Sequence, residues 1–133
     1  MKRIVSSIIA LTLLLSLCSC GGYTSSYKAV GLVRNNTSHS CQASFLELEG
    51  RLVFKLRKSA SEGEGDISYT VTAEEGEITL FYDAYGIKEE LARVRGGDSV
   101  SSRGGYVEGG RTVYIIIEAT EDSHGKVSCE LSD

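Results

Sequence analysis

The side chains with chemistry to offer are few and poorly placed for it. His39 stands two residues before Cys41, so a cysteine–histidine nucleophile can be imagined. In an extended segment, residues i and i+2 share a face but do not converge, and an oxidised Cys41 could not attack. The other histidine, His124, lies in Asp122-Ser123-His124-Gly125, which reads as a hairpin turn with a weak metal-binding option beside Asp122. Carboxylates occur as Glu74-Glu75, Glu89-Glu90 and Glu121-Asp122, pairs typical of solvated edges, so no glycosidase pair follows from their abundance. Asp83, Asp98 and Glu108 occupy loop-like positions that could converge on calcium, but no Asp-x-Asp-x-Asp-Gly spacing supports them. The expectation is a chain with no catalytic residue, no metal site and no cofactor.

Binding chemistry has better candidates. The chain contains no Trp, so Tyr82, Tyr85 and Tyr106 are the side chains able to stack on sugar rings, with Asp83 beside them as a hydrogen-bond acceptor. Arg95-Gly96-Gly97 and Arg103-Gly104-Gly105 resemble RNA-binding Arg-Gly-Gly segments. Charge opposes that use. Without Lys2 and Arg3 the basic count falls from 14 to 12 against 18 acidic residues, a net of −6, which repels polyanions and bare anionic headgroups. Nucleic acid is thereby excluded, and a glycan, a peptide or an envelope protein remains as the expected partner.

The elements that must position these residues are strands. Alternating apolar residues and turn clusters recur every 10 to 15 residues, with no long amphipathic helix. Strands are predicted over Ala29 to Arg34, Cys41 to Leu48, Arg51 to Arg57, Asp66 to Ala73, Glu77 to Tyr82, Thr112 to Ala119 and Lys126 to Leu131. Gly50 marks a reversal or a bulge. Ile87 to Arg95 has both helical spacing and the charge of an edge strand, and is read as strand. Gly96 to Gly110 is expected to be a glycine-rich loop, and Glu121 to Gly125 a turn. With 15 Gly and no Pro, reversals must come from Gly, Asn, Asp and Ser. The fold class is therefore all-β: a single antiparallel β-sandwich of seven or eight strands, immunoglobulin-like or jelly-roll, over residues 28–133. The run Leu52 to Leu56, then Ile67 to Val71, then Gly76 to Leu80 with Asp83 and Gly86 resembles small β-sandwich modules of bacterial surface proteins. That resemblance implies the fold and transfers no functional residue.

The first 20 residues carry a different message. Met1-Lys2-Arg3 precedes an apolar stretch from Ile4 to Leu17, short for a membrane span and suited to an export leader. Leu17-Cys18-Ser19-Cys20 resembles the lipobox of bacterial lipoproteins: a branched apolar residue three before the modified cysteine and a small one directly before it. The resemblance implies a signal peptide over 1–19, diacylglycerol on the thiol of Cys20, a tether over 20–27, and a position on the extracytoplasmic face of a cell membrane. Two acyl chains, at about 0.8 kcal/mol per buried methylene, would hold far more firmly than one. Gly21 after the cysteine would permit an outer-membrane address. Cys41 and Cys129 then remain as a pair, expected to form a disulfide in an oxidising compartment, with two buried free thiols as the alternative.

Overall fold

A strand can bury one face by placing every second side chain inward, and the described residues form eight strands, of which the two shortest bury no residue. The computed structural model describes residues 23–132; the leader, Cys18 and Cys20 lie outside the described residues. The strands are β1 (Ser26–Val30), β2 (Val33–Asn36), β3 (Ser40–Arg57), β4 (Gly65–Glu75), β5 (Glu77–Asp83), β6 (Glu89–Arg95), β7 (Asp98–Val107) and β8 (Thr112–Ser132), with one 3₁₀ turn at Ala60–Glu62. All pairings are antiparallel.

Two long strands build both layers. The first part of β3 and the last part of β8 pair with β2 and β4, and β4 with β7, giving the order β2-β3-β8-β4-β7. The rest of β3 and the first part of β8 pair with β1 and β5, and β5 with β6, giving β1-β3-β8-β5-β6. Between its two parts, β3 must change which parity of residues faces inward. Cys41, Ala43 and Phe45 are buried before the bend, and Leu48, Leu52, Phe54 and Leu56 after it. The register shifts between Phe45 and Leu48 and again between Leu48 and Gly50 produce that change. Gly50 is suited to the site because its φ is 115° and a Cβ there would lie 2.4 Å from the Ser26 carbonyl oxygen.

Several expected boundaries move. The reversal or bulge at Gly50 is a bulge, so two expected strands are one. The expected turn at Glu121 to Gly125 is a bend inside β8, where Asp122 takes φ 53° and buried Ser123 sits 2.9 Å from the Thr120 carbonyl oxygen. The expected glycine-rich loop contains β7: Ser and Gly are weak strand formers alone, but here they pair with β4 along Ile67 to Ala73. Ile87 to Arg95 is strand from Glu89, with Ile87 exposed in the preceding turn. The expected first strand divides at Gly31 into β1 and β2. β1 opens at Ser26, inside the stretch expected to be tether.

The connections gather at two ends. The bends of β3 and β8 lie at one end with the β4–β5 and β6–β7 turns. At the other, called the loop end, are the β2–β3 turn, the segment 58–64, the β5–β6 turn and the β7–β8 loop, because Asp83 pairs with Tyr114, Gly65 with Val107 and Ser40 with Glu130.

Candidate functional site

The outward face of the first layer is a trough whose central row is neutral and polar, with charged side chains in the rows beside it. One row across all five strands reads Asn35, Gln42, Ser128, Thr70, Ser101 in direct register. Adjacent rows carry Ser40, Glu130, Ser68 and Arg103 on one side, and Ser44, Lys126, Thr72 and Ser99 on the other. The open cavity over the first two rows measures about 700 Å³. Cross-strand hydroxyl pairs, Thr70 with Ser101 at 3.0 Å and Thr72 with Ser99 at 2.9 Å, fasten the β4–β7 edge. Arg103 is held by Asp66, at 3.2 Å. These positions were not singled out from the sequence, although alternate Ser and Thr along Ser68, Thr70 and Thr72 were the available signal.

The expected tyrosine site divides into two layers. Tyr85 and Tyr106 are 41% and 46% exposed, with ring centroids 6.3 Å apart and an interplanar angle of 17°. The Arg111 guanidinium lies 4.7 Å from the Tyr85 ring centroid. The Tyr106 hydroxyl donates to Glu64 at 2.7 Å, and that bond, with desolvation behind it, pushes its pKa up to about 12. The Glu108 N–H donates to the Tyr85 hydroxyl at 3.1 Å. Tyr82 is buried beneath, its hydroxyl donating to Glu89 at 2.6 Å; desolvation, then Glu89, raises its pKa. Asp83 is 5% exposed and accepts from the Tyr23 hydroxyl at 2.6 Å and the Gly86 N–H at 2.7 Å. Tyr82 and Asp83 are thus nearly buried and support the turn, while Tyr85 and Tyr106 stand at the surface.

The remaining constellations fasten the fold. Asp83 and Asp98 stand at opposite ends of the sandwich, and among the described residues no three His, Cys, Asp or Glu side chains are grouped to hold a metal. His124 pairs with Glu74 at 3.0 Å, not with Asp122. His39 joins Ser38 Oγ at 2.8 Å through Nδ1 and Glu62 Oε1 at 2.6 Å through Nε2. Hydroxyl, imidazole and carboxylate stand in the order of a nucleophilic triad but with the ring nitrogens exchanged, because a triad serine meets Nε2 and its carboxylate Nδ1. The nearby N–H groups of His39 and Ser40 are consumed by Thr37 Oγ1, so this turn lacks the donor pair an oxyanion needs. Cys41 and Cys129 are buried and directly opposite in the β3–β8 ladder, as thiols. The hydrogen bond with Cys41, which favours the Cys129 thiol over its thiolate, and then burial raise the Cys129 pKa.

No protein-family model matches the chain, and no curated protein matches it in sequence. Among solved structures it is similar to a family 29 carbohydrate-binding module, at 11% identity and TM-score 0.43, covering 80% of this chain and 75% of that one. It is also similar to the enzymatically active domain of tailspike protein 4 of bacteriophage CBA120, at 8% identity and TM-score 0.43, covering 82% of this chain and 19% of that one. A third is Drosophila melanogaster CENP-C bound to CAL1, at 15% identity and TM-score 0.36, covering 80% of this chain and 74% of that one. The chain is an antiparallel β-sandwich, and its site is read from its own residues.

Proposed function

We propose that the protein is a non-enzymatic module that binds a neutral glycan along the trough of the first layer, and that lipid on Cys20 fixes it to the extracytoplasmic face of a membrane. The observation that carries the glycan reading is the row Asn35, Gln42, Ser128, Thr70, Ser101. This row offers side-chain hydroxyls and amides that both donate and accept, as a polyol requires. Small side chains also leave the volume a sugar chain would fill.

Each net hydrogen bond contributes about 0.5–1.5 kcal/mol, and four or five of them, after the cost of ordering the ligand, support a Kd on the order of a millimolar. Copies held together on a membrane would gain from avidity on a polymeric glycan. The test is binding of soluble neutral oligosaccharides followed by NMR shifts at Thr70 and Ser128, with Ser128→Arg as the blocking variant. Binding abolished by Ser128→Arg at unchanged melting temperature supports the reading. Binding that survives it, or no shifts with any neutral oligosaccharide, removes it.

One observation favours an accessory role in an envelope complex instead. Val30, Val33 and Leu46 are exposed around the β1–β2 connection, where a Cβ on Gly31 would touch Leu46. Crosslinking from Val33 to one envelope protein in whole cells would establish it; crosslinks to none would leave the glycan reading alone.

A further inference from the structure

From Tyr23 onward the stretch expected to be tether is fastened to the domain. The Tyr23 hydroxyl donates to Asp83 at 2.6 Å, and its ring meets Tyr114 edge-on at a centroid distance of 5.5 Å. Ser25 Oγ then accepts the Val53 N–H at 2.9 Å, and β1 begins at Ser26. Two residues, Gly21 and Gly22, separate Cys20 from Tyr23, so the three Cα-to-Cα steps reach at most about 11 Å. Any bilayer holding the lipid on Cys20 is therefore within that distance of Tyr23, at the loop end.

The same carboxylate organises what faces that bilayer. Asp83 holds the Gly86 N–H and so shapes the β5–β6 turn, which projects Tyr85 and Ile87; Ile87 is 67% exposed. Tyr106 stacks beside Tyr85 and Arg111 lies over it. Amphipathic tyrosines, one bare aliphatic side chain and an adjacent guanidinium have the composition of a headgroup-level belt. A ring already carrying a tyrosine and a guanidinium has little face left for a sugar. Cations are not in excess here: Glu64, Glu108 and Glu118 stand against Arg111 and Lys88. Seating would come from partition of apolar surface, not from attraction to anionic lipid.

We propose that the Tyr85, Ile87 and Tyr106 face rests in the headgroup region of the bilayer that carries the Cys20 lipid, so the domain stands in one orientation with its loop end down. The inference rests on the lipidation reading and adds to it a second, non-covalent contact. Because the chain has no Trp, Ile87→Trp and Val33→Trp place single reporters at the loop end and near the bends. The full-length protein, processed in cells and reconstituted in phosphatidylcholine vesicles, is measured with and without acyl-chain bromination, alongside mass spectrometry of Cys20. Emission of the Ile87→Trp protein should shift to the blue and be quenched roughly two-fold, since interfacial side chains sit about 5–10 Å into the headgroup and acyl boundary. The Val33→Trp protein should be unaffected, and high salt should leave both results unchanged. An unquenched or equally quenched pair on diacylated protein overturns the docking and leaves the lipid reading standing. A bare Cys20 overturns both.

Discussion

Replacing Tyr23 by Phe removes one oxygen and tests the tie between the chain's entry and the loop end. Asp83 is 5% exposed, and its 2.6 Å contact with the Tyr23 hydroxyl has the length of a charge-assisted bond. Removing that donor leaves a buried carboxylate with the Gly86 N–H as its remaining described donor, a loss of about 1.5–3 kcal/mol. Phe keeps the edge-on contact with Tyr114, whereas Tyr23→Ala also loses that pair, for about 0.5–1.5 kcal/mol more. For a domain of this size, roughly 4 °C per kcal/mol puts the Tyr23→Phe melting temperature about 6–12 °C below the parent. Alkali supplies a second signature. Desolvation, followed by the bond to Asp83, pushes the Tyr23 pKa up to about 12. A hydroxyl whose folded pKa lies above its unfolded value of about 10 stabilises fully below pH 10, and that contribution is lost as pH rises toward 12. The stability gap between parent and Tyr23→Phe, followed by circular dichroism melts, should shrink across that window. Equal melting temperatures, or a gap unchanged to pH 12, would refute the tie.

Three further outcomes follow from single contacts. Bonds from the Ser59 hydroxyl and then His39 hold the Glu62 carboxyl down to about 2; a depressed acid stabilises above its unfolded value of about 4.3 and stops doing so as pH falls to 2. Glu62→Gln should therefore melt lower than the parent at pH 5 and converge with it near pH 2, as read by calorimetry. Cys41 and Cys129 occupy a hydrogen-bonded pair position, because the Leu131 N–H donates to His39 O two residues along the ladder, and the Cα spacing of about 5.5 Å at such pairs suits a disulfide. Oxidative refolding with oxidised glutathione should remove two hydrogens from the protein by mass and raise stability by roughly 4–5 kcal/mol through closure of the long loop; an unchanged mass would exclude the bridge. Gly125→Ala would place a Cβ 2.0 Å from the Thr72 carbonyl oxygen and 2.9 Å from Ile78, so it should cost more than about 3 kcal/mol by prising β4 from β8, and a soluble variant with parental melting would contradict the packing.

Much of this architecture was legible where one physical rule acted alone. The alternation of Ile67, Tyr69, Val71 and Ala73 identifies β4 because all four are buried on one face. It failed where two rules competed. In β3 the inward parity changes at the bulge, so a single strand imitates two. In β8 the segment from Glu121 to Gly125 has turn residues but continues the ladder to β3 and β4. β7 was hidden because Ser and Gly have low strand preference, and its pairing with β4 is a tertiary fact. The tyrosine positions were visible, but nothing local separates the buried Tyr82 from the exposed Tyr85 three residues on. The trough was missed because a hydroxyl is informative only when register places others beside it.

The bent strands also explain how entry, trough and loop end can depend on one another. β3 and β8 each run through both layers, so the strands that carry Lys55 and Tyr114 beside the Tyr23–Asp83 contact also carry Gln42 and Ser128 of the trough. The trough's first row is fastened at the loop end by the Leu131 N–H to His39 O bond at 2.8 Å and by His39 to Glu62 at 2.6 Å. Two anchors thus bracket the loop end, one on each layer, and the polar trough lies between the His39 turn and the bends. A sandwich made of two independent sheets would let its loop end loosen without disturbing the face above. Here loss of either anchor should be felt in the spacing of Gln42 and Ser128, since these residues lie on the two strands that run through both layers.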